Sequence, residues 1–305
     1  MLSGEKILVT APHGKTTFPI ARELARRNEV HGIARFSNPE DRARVEAAGI
    51  RPIVLDLASG SMETVPDDFT YVVNFAFVHT NDWEYLLAVN AQAIGRLMAR
   101  CRNAKGVFHC STTGVYLYAG PDRPRKETDP MGDSLSVAVP GYVISKIAGE
   151  AVAKTVCEQL GVPTVIARLN VSYGDPRLMP GRHLDLMLAG EEIPVRSEEP
   201  TNFNPLHVED YVPQVERLLE QARTPALITN WAGSETVSVE EWCRYMGALV
   251  GAEPRYRITE QSICGCAVDM TRMHELLGPT KVHWRDGMRR LVQEKLPGRE
   301  LREVT

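Results

Sequence analysis

An alternation along the first half of the chain is the strongest constraint on its fold. Short apolar runs bounded by turn or charged residues, "KILVT", "EVHGIAR", "RPIVLDL", "YVVNFAF", "GVFHCST" and "PTVIARLN", are separated by longer stretches. Among these are "FPIARELARR", "NPEDRARVEAAG", "EYLLAVNAQAIGRLMARCRN" and "YVISKIAGEAVAKTVCEQLG". The runs have the length and β-branched content of strands, and the stretches have the periodicity of amphipathic helices. Strands that alternate with helices predict an α/β architecture, a doubly wound parallel sheet covered on both faces. With 305 residues, 43% of them hydrophobic, the chain can bury the core such a sheet requires.

After Asn170 the alternation loosens into "VSYGDPRLMPGRHLDLMLAGEEIPVRSEEPTNFNP", rich in Gly, Pro and charge. A loop-rich insertion beside the sheet is where doubly wound folds build a substrate pocket. We therefore expect a dinucleotide-binding Rossmann domain over residues 1–170. Residues 171–305 are expected to be mainly substrate-binding, with some segments returning to the Rossmann core. The later segments read as a helix in "HVEDYVPQVERLLEQA", a strand in "ALITNWA", a helix in "SVEEWCRYMGALVG" and a last helix in "HWRDGMRRLVQEKL".

The net charge of -4, with Lys and Arg scattered among Asp and Glu, gives no basis for a nucleic-acid partner. The start "MLSGEKILVT" has no apolar signal region, and no run approaches the roughly 18 apolar residues of a membrane helix. A cytoplasmic protein acting on a small molecule, with no membrane partner, is the expectation. The six cysteines lack C-x-x-C spacing, so buried reduced thiols are expected and no metal site.

In "VTAPHGKTTFPIA" a strand passes through a turn into a helix whose first N–H groups and dipole can receive a pyrophosphate. Against the pattern T-G-x-x-G-x-x-G, Thr10 opens the turn, Ala11 stands at the first glycine, Gly14 at the second and Thr17 at the third. Lys15 and the hydroxyls of Thr16 and Thr17 are candidate phosphate donors that offset the missing glycines. Taken alone, the turn is equally an ordinary strand–turn–helix. Further on, "PGYVISKIAGE" places Tyr142 and Lys146 four apart, one turn from each other on the same helix face.

Together these segments resemble the extended short-chain dehydrogenase/reductase family, which includes UDP-galactose 4-epimerase. The resemblance spans nearly the whole chain: the altered phosphate turn, "LDL" around Asp56, "NFAF" from Asn74 to Phe77, "VNAQAIGRLM" around Asn90, "CSTTGVY", the Tyr142/Lys146 pair, "ARLNVSYGDPR" and "PLHVEDYV". It implies catalytic roles for Thr112, Tyr142 and Lys146. It also implies cofactor contacts from Thr10, Ala11, Gly14, Lys15, Thr16, Thr17, Asp56, Leu57, Phe75, Ala76, Asn90, Tyr142, Lys146 and Asn170. The activity implied is interconversion of a carbonyl and a secondary alcohol by hydride transfer, with an NAD or NADP cofactor. A tyrosine with its ordinary pKa of about 10 is poorly ionised at neutral pH, and a neighbouring lysine and the nicotinamide's positive charge would stabilise its phenolate.

Departures from the family narrow the activity. Family dehydratases carry Thr-Asp-Glu where this chain has Thr112, Thr113 and Gly114, so the acidic pair that eliminates water is missing. The arginine that often precedes the "HV" segment in sugar-nucleotide enzymes is not evident in "TNFNPLHV", which counts against a nucleotide-sugar substrate. Substrate contacts are expected from Thr112, Thr113 and His79, with Arg177 and Arg182 as candidates for gripping a diphosphate or as solvated arginines. At the end of the second strand stand Arg35 and Ser37 in place of the acid that accepts from an NAD ribose, which favours NADP modestly over NAD. His13 lies in the cofactor turn, where it either touches ligand or packs. Two alternatives stay open: a nucleotide-sugar epimerase with retained nicotinamide, and a catalytically silent nucleotide sensor. Apolar residues on more than one face of "EYLLAVNAQAIGRLMARC" and "YVISKIAGEAVAKTVC", which in the resembling family form a four-helix interface, lead us to expect a homodimer.

Overall fold

The computed structural model describes residues 1–121, 123–132, 140–197 and 200–304. The first half alternates strand and helix: β1 (Lys6–Thr10), α1 (Thr17–Ala25), β2 (Glu29–Ala34), α2 (Pro39–Ala47), β3 (Arg51–Val54) and β4 (Tyr71–Asn74). Next come α3 (Trp83–Leu87), α4 (Ala93–Arg100), β5 (Gly106–Thr112), α5 (Pro140–Leu160) and β6 (Thr164–Leu169). The chain continues through β7 (Ser172–Tyr173), α6 (Met179–Ala189), β8 (Glu192–Val195), β9 (Asn202–Phe203), β10 (Leu206–His207), α7 (Val208–Glu220) and β11 (Leu227–Trp231). It ends with β12 (Val237–Ser238), α8 (Val239–Val250), β13 (Arg255–Ile258), α9 (Thr271–Leu277) and α10 (Trp284–Lys295).

The main sheet has seven strands in the order β11-β6-β5-β4-β1-β2-β3, and β3, β2, β1, β4 and β5 run parallel in register. Strand order reverses at β1 and β4, whose carboxyl ends mark the switch point where doubly wound folds bind ligands. Two compact units divide the chain. The first comprises Met1–Val115, Gly141–Arg168 and Val212–Thr229, and the second Tyr116–Pro140, Leu169–Tyr211 and Asn230–Thr305.

The first unit buries Val72, Ile94, Leu97, Met98, Val107 and Ile166 between its sheet and helices. The long stretch before β5 is not one regular helix. Between α3 and α4 a π turn over Ala88–Gln92 carries Asn90, whose amide donates to the Val78 carbonyl (3.1 Å) and the Ser145 hydroxyl (2.9 Å). Its side-chain oxygen accepts from Val78 N at 2.7 Å, so a buried polar side chain fixes the segment that follows β4.

The second unit has its own core around Trp242, Met246, Leu249, Leu184, Met288 and Leu291. Part of the Gly- and Pro-rich insertion is regular: α6 spans 11 residues, with Pro180 in its first turn and Gly190 closing it at φ 70°. Proline at a helix start and left-handed glycine at its end are boundary signals, and here they act inside a segment whose composition reads as loop. Among the described residues, no helix is long and apolar enough to cross a membrane.

Candidate functional site

At the carboxyl end of β1 the chain makes the turn proposed for phosphate. Thr10 is fully buried: its hydroxyl donates to Asn74 Oδ1 (2.7 Å) and accepts from the N–H groups of Phe75 and Ala76 (both 2.9 Å). It therefore ties the end of β1 to the end of β4. Ala11 sits in the left-handed region at φ 50°, the conformation the missing glycine would adopt freely, at a cost of about 1–2 kcal/mol for a residue with a Cβ. Gly14 N donates back to Ala11 O at 3.0 Å, and Phe18 N to Gly14 O at 2.8 Å. A Cβ on Gly14 would lie 3.2 Å from Thr17 Oγ1 and 3.3 Å from Ala11 O, so buried Thr17 occupies the space under the turn. Thr16 caps α1 without a side-chain bond to its amides, while Lys15 is exposed.

Beside this turn lies a cavity of about 280 Å³ bounded by residues that follow β1, β2, β3 and β4, among them Ala11, His13, Arg35, Ser37, Asp56, Leu57, Ala76 and Phe77. Arg35 and Ser37 are exposed on its wall, and the Arg35 guanidinium lies 5.9 Å from the Tyr85 ring centroid. The Tyr85 hydroxyl donates to both Asp56 oxygens (3.2 and 3.0 Å), and Asp56 Oδ1 also accepts from Ala58 N at 2.9 Å. Asp41 reaches the same wall, but Arg44 stands 3.3 Å from it and donates to the His13 carbonyl at 2.6 Å. His13 is held below the ordinary histidine range, chiefly by burial, and its Nδ1 is a buried atom without a partner. Phe75 points elsewhere, stacked on Phe108 at 5.4 Å. A cavity at the ends of the strands flanking the switch point, with a cation on its wall, fits a dinucleotide, while Gly14, Lys15, Thr16 and Thr17 lie outside its lining.

The reacting groups assemble where β5 ends against α5. Lys146 is 2% exposed and donates to the Cys110 carbonyl at 2.9 Å. Its ammonium lies 5.8 Å from the centroids of both the Tyr142 and Phe77 rings. Thr112 stands beside the Tyr142 phenol, and its hydroxyl accepts from Gly114 N at 3.2 Å. Burial raises the Tyr142 phenol, and Thr112 opposes that shift. Burial lowers Lys146, and Cys110 and then Glu150, one turn further along α5, oppose it. The His79 ring lies 5.0 Å from that of Tyr142 and 5.3 Å from that of Phe77, and burial also lowers its pKa. Thr113 is buried behind Thr112.

The family model for the NAD dependent epimerase/dehydratase family matches residues 7–229. The chain belongs to this family. It is an NAD(P)-dependent enzyme of the extended short-chain dehydrogenase/reductase type. It is similar to a dTDP-4-dehydro-6-deoxy-D-allose reductase of Streptomyces bikiniensis, 30% identical over 303 residues that cover 90% of this chain and 91% of the relative. A reductase of the same name from Streptomyces sp is 28% identical, with the same 90% and 91% coverage. In fold the chain is similar to UDP-glucuronic acid 4-epimerase from Bacillus cereus, solved with UDP-glucuronic acid and NAD. There the TM-score is 0.80 and the identity 18%, with 95% of this chain and 98% of the other covered. UDP-N-acetylglucosamine 4-epimerase from Methanobrevibacter ruminantium M1 gives a TM-score of 0.81 at 18% identity, with 96% and 98% covered.

Three candidate residues of this epimerase/dehydratase-family enzyme lie in its second unit. Asn170 accepts from Val171 N (2.9 Å) and Asn204 N (3.0 Å) and donates to Cys266 O (2.8 Å), so its side chain is committed to backbone groups. Arg177 pairs with Asp175, its Nε 2.9 Å from Oδ1. Arg182 is exposed on α6. Within the first unit, Phe77 is a site residue that the sequence did not single out: it is 51% exposed and touches both the cavity and the Tyr142/Lys146 pair. Its signal was an aromatic side chain three residues beyond the end of an otherwise buried strand.

Proposed function

We propose that this enzyme interconverts a carbonyl and a secondary alcohol on a nucleotide-linked sugar by hydride transfer, with Tyr142 giving or taking the proton at oxygen. The observation that carries the proposal is the juxtaposition of Tyr142, the neighbouring Thr112 and the buried Lys146. The nicotinamide cofactor, when bound, supplies or accepts the hydride. Thr112 orients the substrate oxygen towards the phenol. Lys146, held as an ammonium, favours the phenolate over the phenol and so brings proton transfer into the physiological range. Phe77 and His79 wall the phenol from water. The absence of an acid at Thr113 and Gly114 supports oxidation and reduction over dehydration. The names of the curated relatives support a nucleotide-linked keto-sugar over a smaller carbonyl.

For the cofactor's form we favour NADP. Arg35 and Ser37 stand on the wall after β2, and the nearby Asp41 has Arg44 as a counter-charge. For assembly we favour a homodimer through α4 and α5. On α5 the exposed or half-exposed stripe Ile144, Ile147, Ala148, Ala151 and Thr155 is small and largely apolar, and light scattering reads the mass directly. The function is tested by mixing the enzyme with NADPH or NADH and a dTDP-linked 4-dehydro-6-deoxyhexose. Loss of nicotinamide absorbance with one equivalent of alcohol formed supports the reductase. Epimerised sugar with unchanged absorbance would place the retained-cofactor epimerase first.

A further inference from the structure

Behind Lys146 the structure holds a buried charge cluster that the reaction as described does not use. Glu150 is fully buried and Arg168 is 2% exposed. Arg168 donates to Glu150 through Nε (2.9 Å to Oε1) and Nη2 (2.7 Å to Oε2). Ser111, between Cys110 and Thr112 on β5, donates to Glu150 Oε1 at 2.5 Å. Glu150 thus sits one turn beyond Lys146 on α5 and also grips the strand whose carbonyl receives the Lys146 ammonium. We propose that Glu150 is a positioning residue for proton transfer, holding Lys146 in its charged form and the end of β5 in register with α5.

The groups around Lys146 leave this task to Glu150. From β5, Cys110 is pushed up to about 11 by burial and is a neutral thiol at physiological pH. His109 is held down to about 3 and is an uncharged ring. From the segment after β4, His79 is lowered and Phe77 contributes only its ring face. From α5, Tyr142 is a phenol. Glu150, one turn along α5 and bonded to the neighbouring Ser111 of β5, is therefore the carboxylate placed to oppose the desolvation that lowers Lys146. Arg168 completes the arrangement: its guanidinium meets both Glu150 oxygens, so the carboxylate is hydrogen-bonded on the side away from Ser111 as well as towards it. With Lys146 neutral, Tyr142 would lose the charge that favours its phenolate.

The inference rests on Tyr142 as the proton-transfer group, and the test reads that group without a substrate. Carbon-13 tyrosine NMR of the full chain with NAD bound follows Tyr142, its resonance assigned by its loss in Tyr142→Phe. In Glu150→Gln the Tyr142 titration midpoint is expected to rise by about one pH unit, and Glu150→Asp is expected to return most of that shift. The double variant Glu150→Gln/Arg168→Met leaves no unpaired guanidinium, is the form expected to fold if the single variant does not, and should keep the upward shift. A folded variant lacking the Glu150 carboxylate with an unmoved Tyr142 midpoint overturns the proposal. Undiminished turnover in Tyr142→Phe would instead overturn the proton-transfer assignment, so the two failures are distinct.

Discussion

On the cavity wall, Arg35 and Ser37 are exposed, the turn holds an alanine in a left-handed conformation, and a buried His13 nitrogen has no partner. At the junction of β5 and α5, by contrast, Lys146, Glu150, Arg168 and Ser111 are all buried; Ser111 and Arg168 bond Glu150, and Lys146 bonds the Cys110 carbonyl. Both regions belong to the same unit and the same sheet. The chain's departures from the family's phosphate pattern fall in the open region. There a changed side chain meets solvent or ligand and the cost is local. In the closed region buried polar groups satisfy one another, so removing one partner of the Glu150–Arg168 pair leaves a buried charge behind.

That contrast is open to test, beginning with its largest consequence. Tyr142→Phe should lower kcat by about 10²- to 10⁴-fold while the calorimetric Kd for the cofactor stays near wild type. A parallel loss in both would mean the two regions are not separable. Next, Arg168→Met should destabilise the fold by about 3–5 kcal/mol in urea titration because it strands Glu150. Arg177→Ala, which breaks an exposed pair, should cost about 0–1 kcal/mol.

The closed region also sets a pH limit. His109 is held at about 3 from an ordinary 6.5, so the unfolded chain binds its proton first as pH falls. Stability is complete above about pH 6.5 and declines between there and about pH 3, by up to about 1.4 kcal/mol per unit from this group. Urea midpoints measured across that window should flatten in His109→Gln.

At the open wall, Arg35→Ala should weaken NADPH by about 1–3 kcal/mol and leave NADH nearly unchanged in calorimetric titration. Equal losses would end the case for NADP. The smallest effect is expected at the turn. Ala11→Gly removes about 1–2 kcal/mol of left-handed strain but adds about 0.4–1 kcal/mol of unfolded-chain entropy, for a net gain of about 0–1.6 kcal/mol in thermal or urea stability.

Much of this molecule follows from local pattern. Periodicity marked the strands from β1 to β6 and the helices between them, because burial on one face of a helix or both faces of a strand dictates residue type at fixed spacing. The four-residue step from Tyr142 to Lys146 put both on one helix face for the same reason. Other features depend on partners far along the chain. Glu150 meets Ser111 and Arg168, 39 and 18 residues away, and nothing in "IAGEAVA" distinguishes a charge-cluster anion from a solvated glutamate. Asn90 forms its π turn because Val78 and Ser145 are brought to it. Residues 116–140 join the second unit although they follow β5 directly. The amino-acid sequence by itself determined the elements, their order and the residue types that reach the ends of the strands, because these obey short-range periodicity. Tertiary structure alone decided which buried charge faces Lys146, which aromatic ring meets Tyr142 and which polar groups are satisfied, because contacts across the sheet have no fixed spacing in sequence.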